Sequence, residues 1–356
     1  KLHIYDDISN ETKLIIQNTG SPIEIIVFGA TSSIIGDVDR MIEFPYSTII
    51  GGAFTPYSFT PTENLVCDIL VVGGGGGGGK FGGGGGAGAI LFGTNINLSA
   101  NSLVSIKVGK GGLGATVNDN GTNGINGENS SITIGLTENI AVGGGGGGTR
   151  GFNAIGTTGN AGGSGGGGSH GNSSPQGLGG ATNKQTFIGF SSFGNAGGIG
   201  KLGTDAPEPS HASAGGGGAG SIGGNASGSG SGTGGGNGGT GKEFISYFGA
   251  GVGNSGWFGG GGGGNTYAGA GTRGFGNGGD GLLGGGGNGG FDGGTELSAN
   301  DGIPNTGGGG GGGKYDDSDS NGGTGGTGYV IIRYRKKSST SSSLELVNGV
   351  INYSVG

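Results

Sequence analysis

The sequence predicts a mainly β and irregular fold with negligible α-helix: a bundle (sandwich) of extended polyglycine II helices framed by short β-strands. Three observations carry this reading. Of 356 residues, 108 are glycine, about 30% against a usual ~7%. The glycines are concentrated, with 101 of them inside 73–328, in unbroken runs at Gly73–Gly79, Gly82–Gly86, Gly143–Gly148, Gly165–Gly168, Gly215–Gly218, Gly259–Gly264, Gly284–Gly287 and Gly307–Gly313. Strand-like segments frame that block at both ends, and no segment repeats apolar residues with a 3.6-residue period.

Along the chain, residues 1–50 read as a small β module. Leu14-Ile15-Ile16 and Ile23–Phe28 are its strand candidates, with Thr19-Gly20-Ser21-Pro22 as the turn. Val66–Val72 is a strong strand that runs straight into the first glycine run. Val104, Ile106 and Val108 alternate with Ser105 and Lys107, the period of a half-buried strand. Ser131–Ile134 and Ile140–Val142 have similar composition, and Tyr329–Tyr334 closes the block. The glycine-rich domain is thus expected over 51–336, a Ser-rich linker over 337–343, and the start of another β module over 344–356, with Asn348-Gly349 as a hairpin turn. The chain reads as a piece, or a processed form, of something longer.

A flexible linker is the commonest fate of Gly/Ser-rich sequence. Here the runs are nearly pure and recur between strands, unlike a single tether. Ordering them is costly, because fixing each glycine backbone opposes folding by at least ~1–2 kcal/mol. An extended three-fold helix has no internal hydrogen bonds. Glycine keeps its N–H, so such a helix can bond sideways to neighbours all round it, each bond contributing ~0.5–1.5 kcal/mol and each α-hydrogen a weaker contact. Without Cβ atoms the backbones approach closely, as at the axis of collagen. A seven-residue run would span roughly 22 Å, and loops would collect at the two ends of the bundle.

Composition also excludes function classes. The net charge of −7 argues against a nucleic-acid partner. No apolar stretch is long enough for membrane insertion. One cysteine cannot build a disulfide framework or a cysteine zinc site. Gly73–Lys80 imitates a phosphate loop, but Phe81 follows the lysine where Ser or Thr is needed for magnesium. Lys314 is likewise followed by Tyr315. His3, His170 and His211 have no partner at triad or metal-ligand spacing. Cys67 sits in an apolar strand, as a small buried hydrophobe does. No catalytic constellation emerges, so a non-enzymatic role is expected. No cofactor is expected apart from a weak calcium candidate. Asp317-Ser318-Asp319-Ser320-Asn321-Gly322 fits the first half of a calcium loop, with Asp317, Asp319 and Asn321 as ligands. Gly328 stands where the closing Glu belongs, and a solvated acidic loop is the commoner outcome.

The order of motifs has a familiar pattern. Cys67-Asp68-Ile69-Leu70-Val71-Val72 leads into Gly73–Gly79, then Gly82–Gly86 and Ala87-Gly88-Ala89-Ile90. Ser105–Gly112, Glu128–Ile134, Ala141-Val142 into Gly143–Gly148, and Gly325–Tyr334 follow in turn. This succession, over about 54–335, resembles the glycine-rich domain of phage tail-fibre and giant-virus surface proteins, similar to the fibre-tip adhesins of T-even-type phages. The resemblance implies a polyglycine II sandwich whose loops bind a host surface receptor or glycan. It implies a location on the virion surface or outside the cell, beside other virion or fibre proteins, with homo-oligomers in keeping. The flanking segments do not match that adhesin. The alternative is a structural subunit of a virion fibre, capsid surface or extracellular filament, with the glycine bundle as a rigid spacer; ice binding is a weaker third.

Loop aromatics are the expected recognition residues. Phe187, Phe190 and Phe193 form one cluster, and Phe244, Tyr247, Phe248, Trp257 and Phe258 another, with Tyr267 nearby. The phenylalanines are expected mainly to cover the sides of the glycine bundle. Tyr247, Trp257 and Tyr267 pair an apolar face with a polar tip, which suits carbohydrate or protein contact. With Phe190 and Tyr315 they make up the receptor-binding candidates.

Overall fold

In the computed structural model, residues 2–7, 11–16, 29–30, 39–116, 121–150, 155–171, 175–202, 211–227, 234–267, 283–292, 297–314, 321–335, 342–347 and 350–355 are described. The expected strand at Ile23–Phe28 and the turns at 19–22 and 348–349 lie outside these residues. The fold is mainly β and irregular, and the single described helix, α1 (Ile245–Phe248), has four residues.

Two sheets form the base. One has the order β1 (Leu2–Asp7), β2 (Glu11–Ile16), β3 (Gly29–Ala30), β4 (Asp39–Pro45), β17 (Tyr329–Arg335), β6 (Leu65–Val72), β7 (Ile90–Leu98), β11 (Ser191–Phe193). The other has the order β10 (Thr137–Ala141), β9 (Ser130–Ile134), β8 (Val104–Gly109), β5 (Phe54–Pro61), β19 (Val350–Val355), β18 (Ser342–Val347). All neighbours in the first sheet are antiparallel; in the second only β5 and β19 pair in parallel, through Thr60 and Pro61. Residues 39–45, ahead of the glycine-rich segment, pair with all of β17, from Arg335↔Asp39 to Tyr329↔Pro45. β5 contains Pro56 and Pro61, which speak against a central strand in the sequence; its second edge is open except at its last residues, where prolines are tolerated.

The sheets pack face to face. Phe44, Tyr57, Phe59, Cys67, Ile69, Val71, Leu91, Ile106, Ile132, Val330 and Ile332 meet between them. Alternate residues of β6 and β17, Leu70, Val72, Tyr329 and Ile331, face the other way into a second cluster with Phe244, Phe248 and Phe258. The strands are therefore covered on both faces, which is why β6 reads as a nearly continuous apolar run.

Six of the core strands join glycine helices. β6 runs into 73–79, β8 into 109–115 and β10 into 142–149, while 82–89 feeds β7, 124–128 feeds β9 and 322–328 feeds β17. The hydrogen bonds display the three-fold period directly. Gly73, Gly76 and Gly79 donate to Ala89, Gly86 and Gly83; Gly74 and Gly77 to Glu128 and Ile125; Gly75 and Gly78 to Gly326 and Gly323, all at 2.8–3.0 Å. The carbonyls of the same run accept from Gly144 and Gly147, Gly112 and Ala115, and Gly310 and Gly313. Residues 73–79 are thus enclosed by six extended neighbours, three antiparallel as acceptors and three parallel as donors. Residues 82–89 sit at the centre of a second hexagon formed by 73–79, 142–148, 164–167, 213–218, 259–264 and 307–313.

Glycine is demanded by proximity, not by φ. None of Gly73–Gly79, Gly82–Gly86 or Gly143–Gly148 has a positive φ. Yet a Cβ at Gly76 or Gly145 would fall under 3.0 Å from the backbone of the helix beside it, a separation that real Cβ atoms essentially never show. Within the glycine runs themselves, left-handed backbone is seen only at their first residues, as at Gly259, Gly284, Gly285 and Gly307.

Candidate functional site

The far end of the bundle gathers basic side chains. Runs 73–79, 142–149, 164–169 and 307–314 are mutually parallel by their hydrogen-bond order, so Lys80, Arg150, His170 and Lys314 come out at the end away from the sheets. His211 precedes the antiparallel run 213–218 at that same end. The His170 and His211 rings stack at 4.9 Å and 20°, both buried. Ser213 Oγ lies 3.1 Å from the His170 amide, which donates to it, and 3.2 Å from His170 Nδ1. Burial holds His170 well below its ordinary pKa of 6.5, and the neighbouring His211 and Arg150 push the same way. Lys80 is itself buried, with its Nζ 4.8 Å from the Phe81 ring centroid.

This end is not a phosphate cradle. All seven amides of 73–79 donate to lattice carbonyls, leaving none to surround an anion. The thiol of Cys67 is buried in the core, and burial, with Asp68 beside it, pushes it up to about 12, far from a reactive thiolate. Of the calcium candidates, Asn321 is described, whereas Asp317 and Asp319 lie outside the described residues. Among the described residues no three His, Cys, Asp or Glu side chains are grouped for a metal.

The aromatic candidates are dispersed. Tyr247 and Trp257 share one lobe, residues 242–258, in which β13 (Lys242–Glu243) pairs with β14 (Trp257–Phe258) and α1 intervenes. Tyr247 is 37% exposed; its ring lies edge-on to Phe92 at 4.6 Å, and its carbonyl accepts from Arg333. Trp257 is half-buried. Phe190 packs on the core between the sheets. The backbone of Tyr267 lies in β15 (Thr266–Tyr267), opposite His211 at the far end, away from the lobe. Tyr315 lies outside the described residues. The expectation that the phenylalanines cover the sides of the glycine bundle needs correction: Phe193, Phe244, Phe248 and Phe258 cover the outer face of the first sheet instead. That face carries Leu70, Val72 and Ile331, a larger apolar surface than glycine backbone offers.

A polar groove lies on the flank. Residues 142–149 have 73–79, 82–89, 164–167, 157–163 and 124–128 as neighbours, one fewer than a full hexagon. Side-chain amides occupy the remaining direction. Asn129, Asn126 and Asn123 accept through Oδ1 from the amides of Gly143, Gly146 and Thr149, at 2.9, 2.9 and 3.1 Å. Asn123 also donates to Thr158 O and Asn160 Oδ1, Asn126 to Ala161 O, and Asn160 to Gly124 O and Asn126 Oδ1. Above them a cavity of about 430 Å³ opens, bounded also by Thr122, Ile125 and Thr157. Sequence reasoning passed over these asparagines. Their signal was the spacing of Asn123, Asn126 and Asn129, three residues apart in step with the helix.

Residues 51–335 match the family model described as a glycine-rich domain, and the chain belongs to that family. No curated protein matches the chain.

Proposed function

We propose that this protein is a non-enzymatic viral fibre or surface adhesin, in which a rigid glycine bundle presents loops to a host receptor or glycan. The observation that supports this reading most is the saturation of the bundle. The amides and carbonyls of its central helices are spent on one another, so the lattice offers the same groups at every repeat and carries little information for discriminating ligands. Recognition therefore belongs to the segments between the helices and to the lobe bearing Tyr247 and Trp257. Buried aromatic anchors typically contribute ~2 kcal/mol or more to an interface. The test is attachment of the full chain to panels of cell envelopes and glycans, with Trp257→Ala/Tyr247→Ala alongside. Saturable binding that drops tenfold or more in the double variant, with its melting temperature nearly unchanged, is expected. Full attachment of the variant would remove these two anchors. Attachment to nothing at all would remove the adhesin reading.

A structural role in a fibre, capsid surface or extracellular filament is the second reading. It is favoured by the antiparallel pairs β1–β2 and β18–β19, which lie at an edge of each sheet, so that among the described residues β1 and β18 are outer strands. Outer strands are templates for pairing between copies.

A further inference from the structure

We propose that the asparagine groove on the flank of the bundle is a seat for a neutral glycan chain. This rests on the adhesin reading and adds a ligand class at a second place, apart from the lobe bearing Tyr247 and Trp257. The groove occupies the direction in which the helix 142–149 lacks a sixth neighbour. A glycine-rich peptide cannot fill it as a further lattice helix, because the amides of Gly143, Gly146 and Thr149 that would bond to it are already taken by Asn129, Asn126 and Asn123.

The valences left over belong to side chains. Asn126 Nδ2 donates to Ala161 O alone and keeps one hydrogen. Asn160 Oδ1 accepts from Asn123 Nδ2 alone and keeps one lone pair. The Thr122 side chain is exposed at the rim. A spare donor on one amide and a spare acceptor on the other match the hydroxyls of a sugar chain, each of which can both accept and donate. Ile125, 52% exposed, supplies an apolar contact for a ring's C–H face. The described residues that line the groove are uncharged, which suits a neutral ligand. Its volume of about 430 Å³ lies within the roughly 300–1,000 Å³ of small-ligand sites. The amides that would make the contacts are already fixed by the lattice, so binding need not order them.

The test applies an array of neutral oligosaccharides and, in parallel, a glycine-rich peptide to the full chain. The array's best neutral ligand is then titrated against the wild type and against Thr122→Leu/Ile125→Lys. Those substitutions crowd the groove and leave the asparagine bonds in place, and a melting curve checks that the variant is folded. The expected result is glycan binding weakened at least tenfold in the variant, with the NMR signals of the Asn126 and Asn160 side-chain amides shifting as glycan is added to the wild type. Glycan binding unchanged by the variant, peptide binding in place of glycan, or no binding of any neutral glycan would each overturn the proposal. Attachment to cells that survives in the groove variant would overturn the groove alone and leave the adhesin reading standing.

Discussion

Single residues in this fold are judged by the atoms that a side chain would meet. A Cβ at Gly145 would fall under 3.0 Å from the backbone of Asn160, and one at Gly261 equally close to that of Gly216. Both neighbours are backbone held on several sides, so they cannot swing away. Gly145→Val and Gly261→Val are expected to destabilise by about 3 kcal/mol or more. Gly251, with no atom within 4 Å of its Cβ position and no positive φ, should accept alanine with a change within about 0.5 kcal/mol. Thermal or denaturant unfolding compares the three, and equal stabilities would contradict the packing described. His170 gives a pH signature. It is held neutral in the folded chain, with its pKa below the unfolded value near 6.5. Above pH 6.5 both states are neutral and stability is unaffected. Below it the unfolded chain binds a proton that the folded chain excludes, so stability falls as pH falls, by up to about 1.4 kcal/mol per pH unit. Glu138, held low by hydrogen bonds from Ser131 and Lys107, would lose its contribution only at more acidic pH. Urea unfolding at pH 7.5 and 5.5 should therefore differ more in the wild type than in His170→Gln; an equal difference would contradict a buried neutral imidazole.

At the scale of elements, the asparagine ladder is the device that finishes an incomplete hexagon. Asn126→Ala would leave the buried Gly146 amide without its acceptor and Asn160 without one of its own. A loss of about 1–3 kcal/mol is expected. Asn126→Asp keeps an acceptor for Gly146 and should lose less, and a melting series on the two variants checks the order. Much of the architecture was legible at this scale. The apolar run of Val66–Val72, the alternation at 104–108 and the closing Val330-Ile331-Ile332 marked strands because burial leaves a period in the residues. β7 was less visible. It contains Gly93, Asn95 and Asn97, its pairing with β6 shifts register between Cys67 and Ile69, and Asn95 has a φ of 55°. The lobe at 242–258 was read as one loop aromatic cluster because nothing local to Phe244 or Phe258 states that Leu70 and Ile331 need a cover. The groove was legible only in part: the three-residue spacing of Asn123, Asn126 and Asn129 stands in the sequence, but Asn160 meets them only through the lattice.

For the whole molecule, the claim is that a backbone lattice serves as a core beside a conventional side-chain core. The strands of the sheets set the spacing and direction of the first helices, and the remaining runs extend the lattice outward by the same three-residue register. Cooperativity should follow, since the run 73–79 cannot open without releasing six neighbours. Amide hydrogen exchange on the full chain tests this most directly. The amides of 73–79 and 82–89 should be among the slowest in the protein, as slow as those of β6 and β17. Exchange of those glycines at the rate of a free linker, with β6 and β17 still protected, would contradict the account.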